Sequence, residues 1–385
     1  MAILAWACAT MKFKHDHLID YVSKHFITLM QNCVKYQQTT GMLGARCIES
    51  TGTSAPGSSS GYAVSTISWA LAKLNHGDSF MRVAAPYIVR LCQNNNGGQP
   101  TLASIAKTFS RQGLVNLAWA CAIEGKTFPE DLIELLFRGL YGVGESLDPI
   151  HVCKHYRDPA IHEVEFFPIL YLQIAMHLEK QKNAELPSDR LLDLLPSHFP
   201  TNWYKLQDLN RPSGSHGEAD PRSVQMVKKP SKMQRDVSDA FTRIGFSHVD
   251  EYTITMKALA RDYNMRVAAD PIDVLSVDIA NVDAKIGIEV DGPSHYVSLI
   301  GPSTNGTSTT NKQCDCDDET IKNRLRWNSQ VLEVDGPTRL KHRLLEGLGW
   351  NIIHVPYFEW AALRGDKRLE EDYCQTKISC VSTFF

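Results

Sequence analysis

The alternation of apolar and polar positions divides the chain into two kinds of segment. In the first part, apolar residues recur at helical spacing, and one six-residue pattern appears three times: Leu4-Ala5-Trp6-Ala7-Cys8-Ala9, Ile67-Ser68-Trp69-Ala70-Leu71-Ala72 and Leu117-Ala118-Trp119-Ala120-Cys121-Ala122. A short polar turn and a second helical run follow each copy: Asp16 to Met30, Phe80 to Leu91, and Pro129 to Leu140. The small residues allow two helices to approach closely, and the Trp is expected to fill the space between neighbouring units. Helix pairs of this kind, sharing a core with the next pair, predict an α-helical, solenoid-like repeat region over residues 1–209. Residues 37–61 and Asn94 to Gln99 interrupt the spacing and read as loops. A fourth, degenerate unit includes Phe167 to Leu178, with Tyr171 near the Trp position.

The pattern changes after Trp203. Residues 210–230 lack hydrophobic period and carry three prolines, which marks a linker. Ser231-x-x-Gln234 then opens an amphipathic helix with Val237, Ala240, Phe241 and Ile244 on one face and Gly245 at its end. Strands are predicted over Val249 to Ala258, Ile272 to Ala280 and Ile286 to Asp291. A polar insert covers 301–328. A helix starting at Gly336-Pro337-Thr338 presents Leu340, Leu344, Leu345 and Leu348. Asn351 to Val355 is a last strand before a closing helix, and 364–385 reads as a C-terminal tail. The order α-β-β-β-α-β over 231–363 describes a compact α/β domain.

The third of these strands is the centre of the chemistry. Period two places Glu289 and Asp291 on one face and Ile288 and Val290 on the other. Two like charges on an apolar strand are costly without a partner. A metal, a basic side chain or a nucleic acid would serve, and so would solvent at the strand end. A near copy, Leu332 to Thr338, leads into the basic helix; its Glu333 and Asp335 are expected to be solvated, and the N–H groups of Gly336 to Thr338 to be open to a phosphate.

Composition narrows the classes. With 43% hydrophobic and 22% charged residues the chain is of ordinary globular character, and a net charge of −3 confines any nucleic-acid surface to a local patch. No apolar run approaches the roughly 20 residues of a membrane span. Most of the ten cysteines are scattered through helical patterns, as buried thiols in a reducing compartment would be. Cys314-x-Cys316 lacks a second ligand pair at zinc-finger spacing. No targeting leader is visible, and Met1 to Ala9 reads as helix interior, so the chain is expected to be truncated at its start.

The runs IGIEVDGPSHYV and VDGPTRLKHRLLEGLGWNIIHVPYFEW resemble the RAP domain, an RNA-binding domain, and the LAWA-type repeats are similar to those preceding it in octotricopeptide-repeat and FAST-kinase-like proteins. The resemblance implies an RNA-binding protein of the mitochondrion or plastid, acting in RNA processing, RNA stability or rRNA maturation. The RAP fold is itself similar to small restriction-endonuclease-like domains. That likeness carries their Asp and Glu positions to Asp278 and Glu289, with Asp291 standing where their lysine would be; the three carboxylates together would hold a divalent ion, and His295 or Lys341 would substitute for the lysine. It implies Mg²⁺ as cofactor in a nuclease reading and none for binding alone. For RNA contact, the candidates are Lys322, Arg324, Arg339, Lys341 and Arg343 for phosphates and Tyr357 and Trp360 for base stacking. The partners expected are single-stranded RNA or rRNA, and organellar ribonucleoprotein or ribosomal proteins. The alternatives to a binding role in RNA processing are a metal-dependent endoribonuclease and a structural component of an organellar ribosome.

Overall fold

The computed structural model describes residues 1–40, 58–93, 98–125, 130–141, 170–178, 230–263, 273–300, 325–327 and 330–382. Nearly all of the 210–230 linker lies outside them, as do Lys228, Lys229, Cys314, Cys316, Lys322 and Arg324. The chain groups into two compact units, Met1–Leu195 with His295–Lys341, and Pro196–Ser294 with His342–Phe385.

The first unit holds α1 (Ala2–Thr10), β1 (Phe13–His15), α2 (Asp16–Thr40), α3 (Ser58–Lys73), α4 (Asp78–Cys92), α5 (Leu102–Thr108), α6 (Arg111–Glu124), α7 (Glu130–Tyr141) and α8 (170–178). The three helices that carry the repeated pattern are neighbours, α1 against α3 and α3 against α6. Their successors pack likewise, α2 against α4 and α4 against α7. The contacts are made by small and aliphatic residues: Ala5, Cys8 and Ala9; Ile67, Ala70 and Leu71; Leu117, Ala118 and Cys121, all buried.

The tryptophans are not where the pattern suggested. Trp6 is 49% exposed, and Trp69 and Trp119 are half-buried. The contact faces are filled by small and aliphatic residues, which leaves the indoles partly exposed. Lys73 Nζ sits 4.8 Å from the Trp69 ring centre. Trp119 stacks on Tyr171 with centroids 5.6 Å apart, and burial pushes the Tyr171 phenol up to about 12. It follows that Ile67→Ala, at a fully buried position, should cost about 2–5 kcal/mol, and Trp69→Ala only about 1–2 kcal/mol, despite the larger side chain removed. Urea midpoints of the two variants check the order; a larger loss for Trp69→Ala would return the indole to the interior.

A four-stranded sheet of order β1-β5-β7-β6 completes the first unit, with β5 (Tyr296–Ile300), β6 (Leu325–Trp327) and β7 (Gln330–Val334). Strand β1 pairs parallel with β5, from Phe13↔Ser298 to His15↔Ile300. The other pairings are antiparallel. The stretch expected to be a polar insert thus supplies a strand, and the first helical pair is joined to a sheet from the far end of the chain.

Glu333 and Asp335 are buried rather than solvated. Lys14, itself 4% exposed, donates to Glu333 Oε2 at 3.0 Å, and Asn75 Nδ2 donates to Oε1 at 2.5 Å. Lys12 donates to Asp335 Oδ2 at 2.6 Å. Asp335 Oδ1 accepts the Thr338 N–H at 3.0 Å, capping helix α11 (Gly336–Gly347). The helix start that was expected to offer its N–H groups to a phosphate therefore holds its own carboxylate. Gly336 is required there, because a Cβ would overlap the carbonyl oxygen of Ala72.

In the second unit, Ser231 caps α9 (Lys232–Arg243) by accepting the Gln234 N–H at 3.1 Å. The sheet order is β2-β3-β4-β8, from β2 (Val249–Thr255), β3 (Asp273–Asn281), β4 (Ile286–Asp291) and β8 (Asn351–Pro356), with α10 (Met256–Asp262) between β2 and β3. Only the β4–β8 pair is parallel. Gly349, at φ +82, turns the chain from α11 towards β8. Helix α12 (Tyr357–Ala362) follows, and the expected tail is instead helix α13 (Lys367–Ser382), packed against α9 and β8. Arg243 ties the two helices, reaching Glu370 and Glu371 at 2.7 Å each. The core joins Val237, Ala240 and Phe241 of α9 to Ile279, Ile288, Val290, Ile353, Val355, Trp360 and Cys374.

Among the described cysteines, Cys8, Cys33, Cys92, Cys121 and Cys374 are buried thiols outside any disulfide and Cys380 is exposed. Burial pushes Cys92 up to about 11 and Cys121 and Cys374 up to about 12, so these three hold their protons and are poor nucleophiles. No described helix is long and apolar enough to cross a membrane.

Candidate functional site

All six residues of β4 are buried. Ile286, Ile288 and Val290 enter the core, which leaves Gly287, Glu289 and Asp291 on the opposite face. Parallel register with β8 sets Glu289 beside His354, Gly287 beside Ile352 and Asp291 beside Pro356. His354 thus shares the carboxylate face. Gly287 keeps that face shallow, since a Cβ would come within 2.8 Å of the Ile352 side chain.

The ladder between β3 and β4 runs from Asn281↔Ile286 to Ile279↔Ile288. Just beyond it, the Asp278 carboxylate accepts the Val290 N–H at 2.8 Å. It stands in for a backbone carbonyl and extends the pairing of two strands by one hydrogen bond. Asp291, 2% exposed, accepts from His354 Nδ1 at 2.9 Å. His342, buried on α11, brings its ring centre to 4.0 Å from that of His354 at an interplanar angle of 54°. One donor atom from each of Asp291, His342 and His354 lies within 4.8 Å of the others, the one such group of three among the described residues.

The three carboxylates expected to gather a Mg²⁺ ion, Asp278, Glu289 and Asp291, form no such group. Asp278 is engaged with the β4 backbone, and Asp291 faces imidazole nitrogens, which suit hard cations poorly. The residues present do not fit Mg²⁺. His295 ends the turn Pro293–His295 and belongs to the first unit. Its Nδ1 lies 3.2 Å from Thr338 Oγ1, and its carbonyl accepts the Asp335 N–H. It is held as a turn residue and does not belong to the donor group.

Of the RNA candidates, Arg339, Lys341 and Arg343 are half-buried on α11, and Arg339 lies 3.6 Å from Glu124. Tyr357 is half-buried, edge-on to Phe358 with centroids 5.3 Å apart. Trp360 is a core residue, 8% exposed within the apolar cluster, and offers no face for a base. Its place follows from β8: Val355 points into the core, and the short α12 turns Trp360 onto the same side.

Family comparison bears directly on this stretch, from Ile288 in β4 to Thr376 in α13. Residues 288–376 match the RAP domain family. The match takes in β5, β7, α11, β8 and α12, and so both histidines of the donor group. The chain is also similar to a chloroplastic RAP domain-containing protein of rice (Oryza sativa subsp. japonica), 21% identical over 261 residues. That similarity covers 68% of this chain but 29% of the rice protein.

Sequence reasoning missed His342 and His354. They lie on different elements, at a spacing that fits no ligand motif. The available signal was strand parity: pairing β8 with β4 puts His354 on the face of Glu289.

Proposed function

We propose that this chain is an RNA-binding protein of an organelle, acting in the processing, stability or rRNA maturation of organellar transcripts. The RAP domain at 288–376 carries the reading. The name of the rice protein, chloroplastic, favours a plastid over a mitochondrion. Phosphate contacts are assigned to α11, where Arg339, Lys341 and Arg343 crowd the first two turns. The helical region supplies a second contact: Trp6, Trp69 and Trp119 lie at matching positions of adjacent helices, the first exposed and the other two half-buried. Rings repeated in this way suit the stacking of successive bases on a single strand, which tolerates any sequence. Repetition of the helix pairs along a longer superhelix belongs to the same proposal. The first RNA to try is therefore unpaired.

The test is binding of labelled single-stranded RNA by fluorescence anisotropy across a salt series. The double variant Lys341→Ala/Arg343→Ala should bind more weakly, and its log–log salt slope should flatten by about 1.4, or about 0.7 for each phosphate that is no longer neutralised. An unchanged slope would move the phosphate-binding groups off α11. Incubation with Mg²⁺ should leave the RNA intact, since the carboxylates of β3 and β4 do not assemble around one ion.

A further inference from the structure

We propose that Asp291, His342 and His354 bind a transition-metal dication of the Zn²⁺ class. The three come from separate elements, the end of β4, the middle of α11 and the middle of β8, yet one donor atom of each lies within 4.8 Å of the others. Two neutral imidazoles and one carboxylate are a borderline-soft donor set that Zn²⁺ and its neighbours accept and Mg²⁺ does not. Zn–N and Zn–O bonds of about 2.0–2.1 Å put tetrahedral ligand atoms about 3.4 Å apart, so donor atoms that lie within 4.8 Å of one another need only a small side-chain movement to take one ion. His354 can supply that movement, because its side chain is 36% exposed, whereas that of Asp291 is 2% exposed.

Asp291 is almost fully buried, and the two imidazole ring centres stand 4.0 Å apart, so one ion placed among the three would be held by a carboxylate and two rings at once. The solvent-facing edge of His354 provides the path of entry and leaves a fourth position for water. The carboxylates Asp278 and Glu289 are not part of the group.

Zinc is the probe. The full chain, carrying Cys314→Ser and Cys316→Ser in every version to remove the close thiol pair, is stripped with chelator. It is then titrated with Zn²⁺ by calorimetry, with elemental analysis after dialysis. The parent should retain one equivalent. His354→Ala and His342→Ala should each weaken binding by at least about 100-fold, and His295→Ala should not change it. Loss in the His354 variant is decisive even if buried His342 cannot be replaced without unfolding, because His354 is half-exposed; circular dichroism confirms its fold. Cobalt(II) gives an independent reading: its visible absorption should report nitrogen and oxygen ligands in the parent and vanish in His354→Ala. Retention of one equivalent by both histidine variants, or no retention by the parent, overturns the proposal.

Discussion

Phe241→Ala should destabilise the second unit by about 3–5 kcal/mol. Phe241 is fully buried at the centre of the cluster that joins α9 to β4, β8 and α13. Phe246 lies on it with ring centroids 5.5 Å apart, and the β-sheet it packs with is held by three backbone ladders, so the space left by the ring has little freedom to collapse. The chain has two units, so a single global unfolding curve is a poor measure. Amide hydrogen exchange resolves them: protection should fall across β4, β8 and α13 and persist in α3 and α6. A loss under about 1 kcal/mol would mean that α9 is not part of that core.

The second large effect is electrostatic. Lys14→Ala should cost about 3–5 kcal/mol, because it leaves Glu333 ionised in a buried site with only the Asn75 amide to face it. The pair itself is not expected to contribute that much, since burying both charges offsets most of their attraction. The double variant Lys14→Met/Glu333→Gln separates the two ideas. It removes both charges while roughly keeping the volume, and the introduced amide retains a carbonyl for Asn75. It should recover most of the stability that Lys14→Ala forfeits. A double variant as unstable as the single would show that the charges matter as a pair and not only as an unbalanced remainder.

How far these features could be read from the sequence depends on the distance to the partner that decides them. The strands of the second unit are legible because their apolar runs are continuous: Ile286, Ile288 and Val290 must be covered wherever they go. Helix α9 is legible for the same reason, with Ser231 marking its start. The burial of Glu333 is not legible, because its partner Lys14 is 319 positions away, and in isolation the pattern Leu-Glu-Val-Asp alternates as a half-solvated edge strand does. The tryptophan placement failed for a related reason. A repeated Trp says that a position is equivalent in each unit, but whether it faces inward depends on which residues fill the contact faces. Asp291 stands out in the sequence as a charge on an apolar strand, but its neighbours were assigned by strand order. The actual neighbours are the two histidines, supplied by a helix and a parallel strand that follow it in the chain.

The parallel pairing of β1 with β5 has a consequence for how the protein can be handled and made. Phe13 and Ser298 lie far apart in sequence, so this ladder cannot form on the ribosome until β5 has been synthesised. Until then the N-terminal helices are without the sheet that completes their unit. The converse holds for a fragment beginning after the linker. It would present β5 as a bare edge, its N–H and C=O groups open to any passing strand. Such a fragment is prone to associate with itself, and a binding measurement made on it would report that edge as well as the domain.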